Sequence, residues 1–172
     1  CMGVLLMEVV PAQYAFVLHT ANPVNGDVDE VVGEVVVGLG ETLVGNSAGR
    51  ALSFTYNKKS KQVSIASLPS KPEAHIAAPD SFIARSDSNG EDLENFAGAG
   101  LYDSVTSPST ETVCVQYAEQ RLFVDQEFRA GVVTRLGEIA AAVQEAAGSH
   151  QDIEGAIVDG TYYLLQSRDQ VL

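Results

Sequence analysis

The segment Gln151-Asp152-Ile153-Glu154-Gly155-Ala156-Ile157-Val158-Asp159-Gly160-Thr161-Tyr162-Tyr163-Leu164-Leu165-Gln166-Ser167-Arg168 decides how the chain folds. Residues 152–158 and 161–167 are two apolar-rich runs separated by Asp159-Gly160. That dipeptide suits the positive φ angles of a two-residue hairpin turn, so the spacing predicts an antiparallel pair. Just upstream, residues 125–147 predict the main helix. Phe128, Val132, Leu136, Ile139 and Val143 recur at three- and four-residue intervals and give one apolar face. Asp125 is placed to cap its start, Glu127 to meet the positive end of its dipole, and Gly148 to end it.

The rest of the chain reads as strands. Residues 4–10 form a buried-strand run stopped by Pro11. Residues 14–20 and 31–37 give two more, divided by the turn cluster Asn22-Pro23-Val24-Asn25-Gly26-Asp27. The glycine-framed stretch 38–46 predicts a loop, a brief helix and a tight exit. Residues 50–56 and 62–68 form a hairpin around a solvated basic turn holding Lys58, Lys59 and Lys61. Residues 69–79, with three prolines and an isolated His75, read as a connection. Phe82 opens a short strand that runs into an acidic turn with Asn89-Gly90; residues 105–112 are a Ser/Thr-rich loop, and 113–117 a strand. Runs of strands outnumber strand–helix alternations. The fold class is therefore mixed α/β of the α+β kind, with a mostly antiparallel sheet and flanking helices, not a doubly wound parallel sheet.

Composition bounds the function. The 172 residues are 45% hydrophobic and 19% charged, enough for one domain with its own core. Twenty-three acids against ten bases give a net charge of −13, which argues against a surface that tracks nucleic-acid phosphates. No Lys or Arg precedes Arg50, so a bound polyanion must rely on a few local arginines and on metal ions. No apolar run reaches the length of a membrane span. Cys1 and Cys114 show neither ligand spacing nor a disulfide framework, which points to a reducing compartment. The chain opens inside the apolar run Cys1-Met2-Gly3-Val4-Leu5-Leu6-Met7, without an initiator Met or a signal peptide. The expectation is a piece of a longer protein.

Common site signatures are missing. There is no Gly-x-x-x-x-Gly-Lys-Ser/Thr, and Gly38-x-Gly40 lacks the third glycine of a dinucleotide turn. His19, His75 and His150 lie far apart with no ligand-spaced neighbour, and no Gly-x-Ser-x-Gly marks a nucleophile. What remains is the closing hairpin. Asp152, Glu154, Gln166 and Arg168 put two acids, an amide and a fixed cation on adjacent, otherwise apolar strands. Mg²⁺ takes oxygen from one or two carboxylates plus substrate phosphates, and an arginine beside it can grip a phosphoryl oxygen. A solvated edge hairpin with a surface ion pair would carry the same residues.

Gln151-Asp152-Ile153-Glu154-Gly155, followed by Leu164-Leu165-Gln166-Ser167-Arg168, resembles the closing motif of the ATP-grasp domain of pyruvate phosphate dikinase and phosphoenolpyruvate synthase. The finer resemblance is to the α-glucan water dikinases, which phosphorylate starch. It runs through Tyr14-Ala15-Phe16-Val17-Leu18-His19-Thr20, Gly38-Leu39-Gly40-Glu41-Thr42-Leu43-Val44-Gly45-Asn46, Gly49-Arg50-Ala51-Leu52-Ser53-Phe54 and Pro69-Ser70-Lys71-Pro72. Arg85-Ser86-Asp87-Ser88-Asn89-Gly90-Glu91-Asp92-Leu93-Glu94 and Ala97-Gly98-Ala99-Gly100-Leu101-Tyr102-Asp103-Ser104-Val105 extend it almost end to end.

The resemblance implies that residues 1–172 are the C-terminal part of an ATP-grasp-like nucleotide-binding domain. The upstream lobe, the phosphohistidine domain and the starch-binding modules lie outside it. Glu154 and Gln166 match the family's metal-binding pair, Arg168 the residue that contacts the terminal phosphate, and Asp152 an acid that supports that site. Glu8 matches the strand against adenine and ribose. Arg85 matches a phosphate-contacting arginine, although acids around it at Asp87, Glu91, Asp92 and Glu94 suit a plain ion-pair turn equally. The implied reaction uses Mg²⁺ and ATP as substrate, sends the β-phosphoryl to a glucan through a histidine on another domain, and releases the γ-phosphoryl to water. None of the three histidines here matches that residue; His19 reads as a hydrogen-bonded strand residue. A plastid location and an α-glucan partner follow from the resemblance alone. A pyruvate or phosphoenolpyruvate dikinase, or a non-catalytic remnant acting as a binding module, are the competing readings.

Two departures stand out. Met7 occupies a position where the glucan enzymes tend to have Gln, and Asp169 replaces the proline that usually follows the last arginine. The hairpin also sets a geometric condition. A regular two-residue turn pairs Glu154 with Leu165 and turns Gln166 to the other face. A shared metal needs a three-residue loop or one bulge, with Gly155 the candidate.

Overall fold

A computed structural model describes residues 3–45, 48–87, 92–93, 96–97 and 104–171. Its spine is a six-stranded antiparallel sheet. In chain order the strands are Tyr14–His19 (β2), Glu30–Val37 (β3), Leu52–Asn57 (β4), Val63–Ser67 (β5), Gln151–Val158 (β12) and Thr161–Asp169 (β13). They lie side by side as β13-β12-β2-β3-β4-β5. The closing hairpin thus docks onto the strand near the start of the chain, through the β2–β12 pairing of His19 with Asp152 and Val17 with Glu154.

Alternation gives this sheet two unlike faces. Phe16, Leu18, Val31, Val35, Phe54, Tyr56, Ile153 and Ile157 point to one face and are buried. The helix Gln126–Ala147 (α3) covers them with Val132, Val133, Leu136 and Ala140. Its ends are as the sequence predicts: the Asp125 side chain accepts a hydrogen bond from the Phe128 amide at 2.9 Å, and Gly148 adopts φ 75° at the exit. Ile139 is only half-buried; Val133 and Ala140 carry more of the contact. Gly137 brings the helix so close to the sheet that a Cβ there would stand 2.2 Å from Cγ of Tyr56.

The smaller elements depart from expectation. Gly3–Glu8 (β1) pairs with Phe82–Asp87 (β7), which also pairs with Ser104–Ser107 (β10), in a separate three-stranded sheet. Val4, Leu5 and Leu6 are 62%, 53% and 64% exposed, so this run is not the buried strand its apolar composition suggests. It is an edge strand of the small sheet, with these three side chains largely open. Within the expected connection 69–79, Glu73–Ile76 (β6) pairs with Glu111–Cys114 (β11), which takes in the start of the strand expected at 113–117 and the end of the expected loop 105–112. Two prolines flank β6 without interrupting its four paired residues. Asp92–Leu93 (β8) and Phe96–Ala97 (β9) form a short pair. The Asn89-Gly90 turn and the acids Glu91 and Glu94 lie outside the described residues.

The brief helix Glu41–Val44 (α1) follows Gly38-Leu39-Gly40, with Gly45 at its exit, as expected. Residues 121–124 form a further turn of helix, Arg121–Val124 (α2), after the 3₁₀ turn Tyr117–Glu119. The basic turn is not wholly solvated. Lys58 Nζ donates to the Thr20 carbonyl at 2.7 Å and to Gln144 Oε1 at 2.8 Å, tying the sheet to the end of α3. Burial lowers its pKa, although the acids Asp29 and Asp27 work in the opposite direction.

Candidate functional site

The second face of the large sheet carries the polar residues of the closing hairpin. Asp159 (φ 48°) and Gly160 (φ 77°) make the two-residue turn, with Val158 opposite Thr161. Pairing runs regularly to Gly155 opposite Leu164, then shifts: Glu154 stands opposite Gln166 and Asp152 opposite Arg168. Leu165 is the extra residue, bulged from β13. Residues directly opposed in an antiparallel pair share a face, so the carboxylate and the amide converge. Gly155 allows this because its backbone is packed beneath Phe16 and beside the Tyr163 carbonyl; a Cβ there would lie 2.2 Å from Phe16 Cζ and 2.4 Å from that oxygen.

One row along the same face, three strands meet through their side chains. Arg168 donates to Asp152 Oδ2 from Nη2 at 3.0 Å and from Nε at 3.3 Å. On the other side, His19 Nδ1 lies 2.5 Å from Asp152 Oδ1, at ion-pair distance but without hydrogen-bond alignment, and no other donor among the described residues reaches that buried oxygen. Contact with Asp152 raises the His19 pKa above its ordinary 6.5; burial opposes this, and the Asp152 and Glu34 charges reinforce it. Burial pushes the Asp152 carboxyl up, but the His19 contact and the Arg168 guanidinium outweigh it, leaving the pKa below 3.8. Asp152 and Arg168 are thus more than a surface ion pair. Asp152 bridges the His19 imidazole and the Arg168 guanidinium.

Beside Glu154 opens a cleft of about 250 Å³. One wall is the large sheet, with Val17, Glu154 and Ala156; the other is the small sheet, with Met7, Glu8, Ile83 and Arg85. Its walls are largely apolar, and ligand pockets for drug-sized molecules typically measure roughly 300–1,000 Å³. The space is small by that measure. The structure therefore brings Glu8, Arg85 and Glu154 to one cleft, Gln166 across from Glu154, and Asp152 with Arg168 one row on.

Sequence reasoning passed over two residues. Glu41 of α1 also lines the cleft and accepts a hydrogen bond from Thr110 Oγ1 at 3.1 Å. His19, read as a hydrogen-bonded strand residue, sits against Asp152. Alternation with Ala15 and Val17 put it on the face away from the core, but only the long-range β2–β12 pairing shows what it faces.

The sequence matches the pyruvate phosphate dikinase, AMP/ATP-binding domain over residues 1–171. The chain belongs to this family. It is 48% identical over 172 residues to the chloroplastic alpha-glucan water dikinase of Solanum tuberosum, covering 99% of this chain and 12% of that protein. It is 47% identical over 172 residues to alpha-glucan water dikinase 2 of Arabidopsis thaliana, again 99% of this chain and 13% of the relative. A probable phosphoenolpyruvate synthase of Methanocaldococcus jannaschii is 25% identical over 169 residues, 97% of this chain and 11% of that protein. The chain thus spans about an eighth of the length of the relatives it matches.

Within this dikinase ATP-binding family, the donor set can be tested against the divalent ion that the resemblance implies. Glu154 and Gln166 offer one carboxylate and one amide oxygen from an opposed pair. Among the described residues no group of three or more His, Cys, Asp or Glu stands close enough to form an all-protein cage. Mg²⁺ keeps several waters and takes one or two protein oxygens plus phosphates, so the hairpin fits it. Asp169 has its own structural employment. It accepts from Ser149 Oγ at 2.5 Å and from Gln151 Nε2 at 2.6 Å.

Proposed function

We propose that this chain is the portion of the ATP-grasp-type, ATP-binding domain of an α-glucan water dikinase that carries its closing hairpin, and that the whole protein is a plastid enzyme acting on starch. The observation that carries the reading is the bulged register that sets Glu154 against Gln166 beside the Asp152–Arg168 pair. Identity near one half to proteins named alpha-glucan water dikinase, against one quarter to a phosphoenolpyruvate synthase, favours the glucan enzyme over the pyruvate type.

In this reading Glu154 and Gln166 would hold Mg²⁺, which would supply charge neutralisation for phosphoryl transfer. Arg168 presents its free guanidinium edge to a phosphate, and Asp152 fixes the direction of that edge. Arg85 supplies a second cation from the opposite wall of the cleft, and Glu8 with Met7 borders the base and ribose. The largely apolar walls keep water from the base end. With a net charge of −13 the protein repels free ATP at long range, so ATP is bound as its metal complex.

The test uses the full-length protein, a soluble glucan, and ATP labelled separately at the β and γ phosphorus. Label from β in the glucan with γ released as free phosphate is the expected result, lost in Glu154→Ala. Label from γ in the glucan makes the protein an ordinary kinase. Transfer of neither leaves a binding module.

A further inference from the structure

We propose that His19 is a positioning residue for Arg168: its imidazolium neutralises one oxygen of Asp152, so that the guanidinium gripped by the other oxygen keeps an uncompensated positive charge for a phosphate. This rests on the nucleotide reading above and goes beyond it, because no part of that reading requires a histidine.

The geometry has three strands and one shared acid. His19 comes from β2, Asp152 from β12 and Arg168 from β13, and all three project from the same face. Asp152 divides its oxygens, Oδ1 toward the imidazole at 2.5 Å and Oδ2 toward Nη2 and Nε of Arg168. Among the described residues nothing pairs with Nη1 of Arg168. A carboxylate oxygen this close favours the ring form with a proton on Nδ1. A protonated ring gives the three groups a net charge of +1, and a neutral ring gives zero, with Asp152 then cancelling Arg168. The charged groups that face His19 are Asp152 of β12, Arg168 of β13 and Glu34 of β3; the first and last favour the cation and Arg168 opposes it.

Holding the sheet together does not need this contact. β2 and β12 are central strands, paired over six residues by their backbones and locked from behind by Phe16, Leu18 and Ile153. The ion pair lies on the open face, where His19 is 32% exposed and Arg168 40% exposed at their side chains. Its consequence is therefore expected in anion binding more than in folding.

The experiment measures Mg·ATP affinity of the full-length protein by titration calorimetry between about pH 6 and pH 8.5, in wild type, His19→Asn and His19→Phe. Asn keeps a neutral donor near the Nδ1 position; Phe removes donor and charge. The wild type is expected to weaken about five- to tenfold as pH rises through the histidine titration. His19→Asn is expected to be flat with pH at the level the wild type reaches when alkaline, and His19→Phe weaker still. Parallel pH profiles in wild type and His19→Asn, with both folded at the assay temperature, overturn the role of His19 while leaving the nucleotide site standing. Absence of Mg·ATP binding in the wild type overturns the nucleotide reading itself, and this inference with it.

Discussion

Glu154 stands directly opposite Gln166, and it does so because Leu165 is squeezed out of the ladder across from Gly155. Without that one-residue shift Glu154 would face Leu165, and the carboxylate and amide would lie on opposite sides of the hairpin.

If the two side chains hold one ion, their removal cannot be additive. Each of Glu154→Ala and Gln166→Ala should weaken Mg²⁺-dependent ATP binding by at least about tenfold. The double variant should fall short of the sum by about 0.5–3 kcal/mol of coupling. Calorimetric titration of all four proteins closes this cycle; strict additivity would falsify a shared ion.

Gly137→Ala tests the contact between helix and sheet. Alanine is the better helix former by up to about 1 kcal/mol. Here its Cβ would meet the Tyr56 ring at 2.2 Å. Overpacking of this kind costs about 1–3 kcal/mol, so the substitution should destabilise despite the propensity gain. A lower urea midpoint is the expected outcome, and an unchanged or higher one means that the ring gives way.

The ion pair on the open face sets a pH window for stability. His19 has a folded pKa above 6.5, so its contribution is complete below that value and is lost as pH rises through the folded pKa. Asp152 has a folded pKa below 3.8, so its contribution is present above that value and is lost as pH falls through the folded pKa. The destabilisation caused by Asp152→Asn should therefore be largest between pH 3.8 and 6.5 and shrink on either side. Urea midpoints measured across that range for both proteins decide it; a constant difference from acid to alkaline pH counts against the pair.

Much of this architecture is legible from local chemistry. The turn at Asp159-Gly160, the 125–147 helix with its Asp125 cap and the glycine-framed turn of helix at 41–44 follow from backbone preference and periodicity, which are properties of neighbours in sequence. What escapes is set by distant partners. β1 has the composition of a buried strand, yet it lies at the edge of a small sheet, and nothing within Val4-Leu5-Leu6 distinguishes the two situations. β6 was hidden by its flanking prolines because its partner arrives with β11, much later in the chain. At the site, alternation gives the face of His19 but not the carboxylate across from it. The resemblance implies Glu154 and Gln166 as a metal pair and so sets a condition on register, which the bulge meets.

The bulge also makes the hairpin a device of parity. An odd number of residues separates Glu154 from Gln166, and a regular hairpin with a three-residue loop would align them just as the two-residue turn plus Leu165 does. The chemistry is therefore indifferent to where the surplus residue sits, provided that one exists. Turn sequence and turn length are free to drift at the Asp159-Gly160 tip as long as any inserted residue is matched by the loss of the bulge. A single insertion or deletion left unmatched would swing the site's amide to the far side of the sheet, and nothing in the composition of the strand would betray the loss.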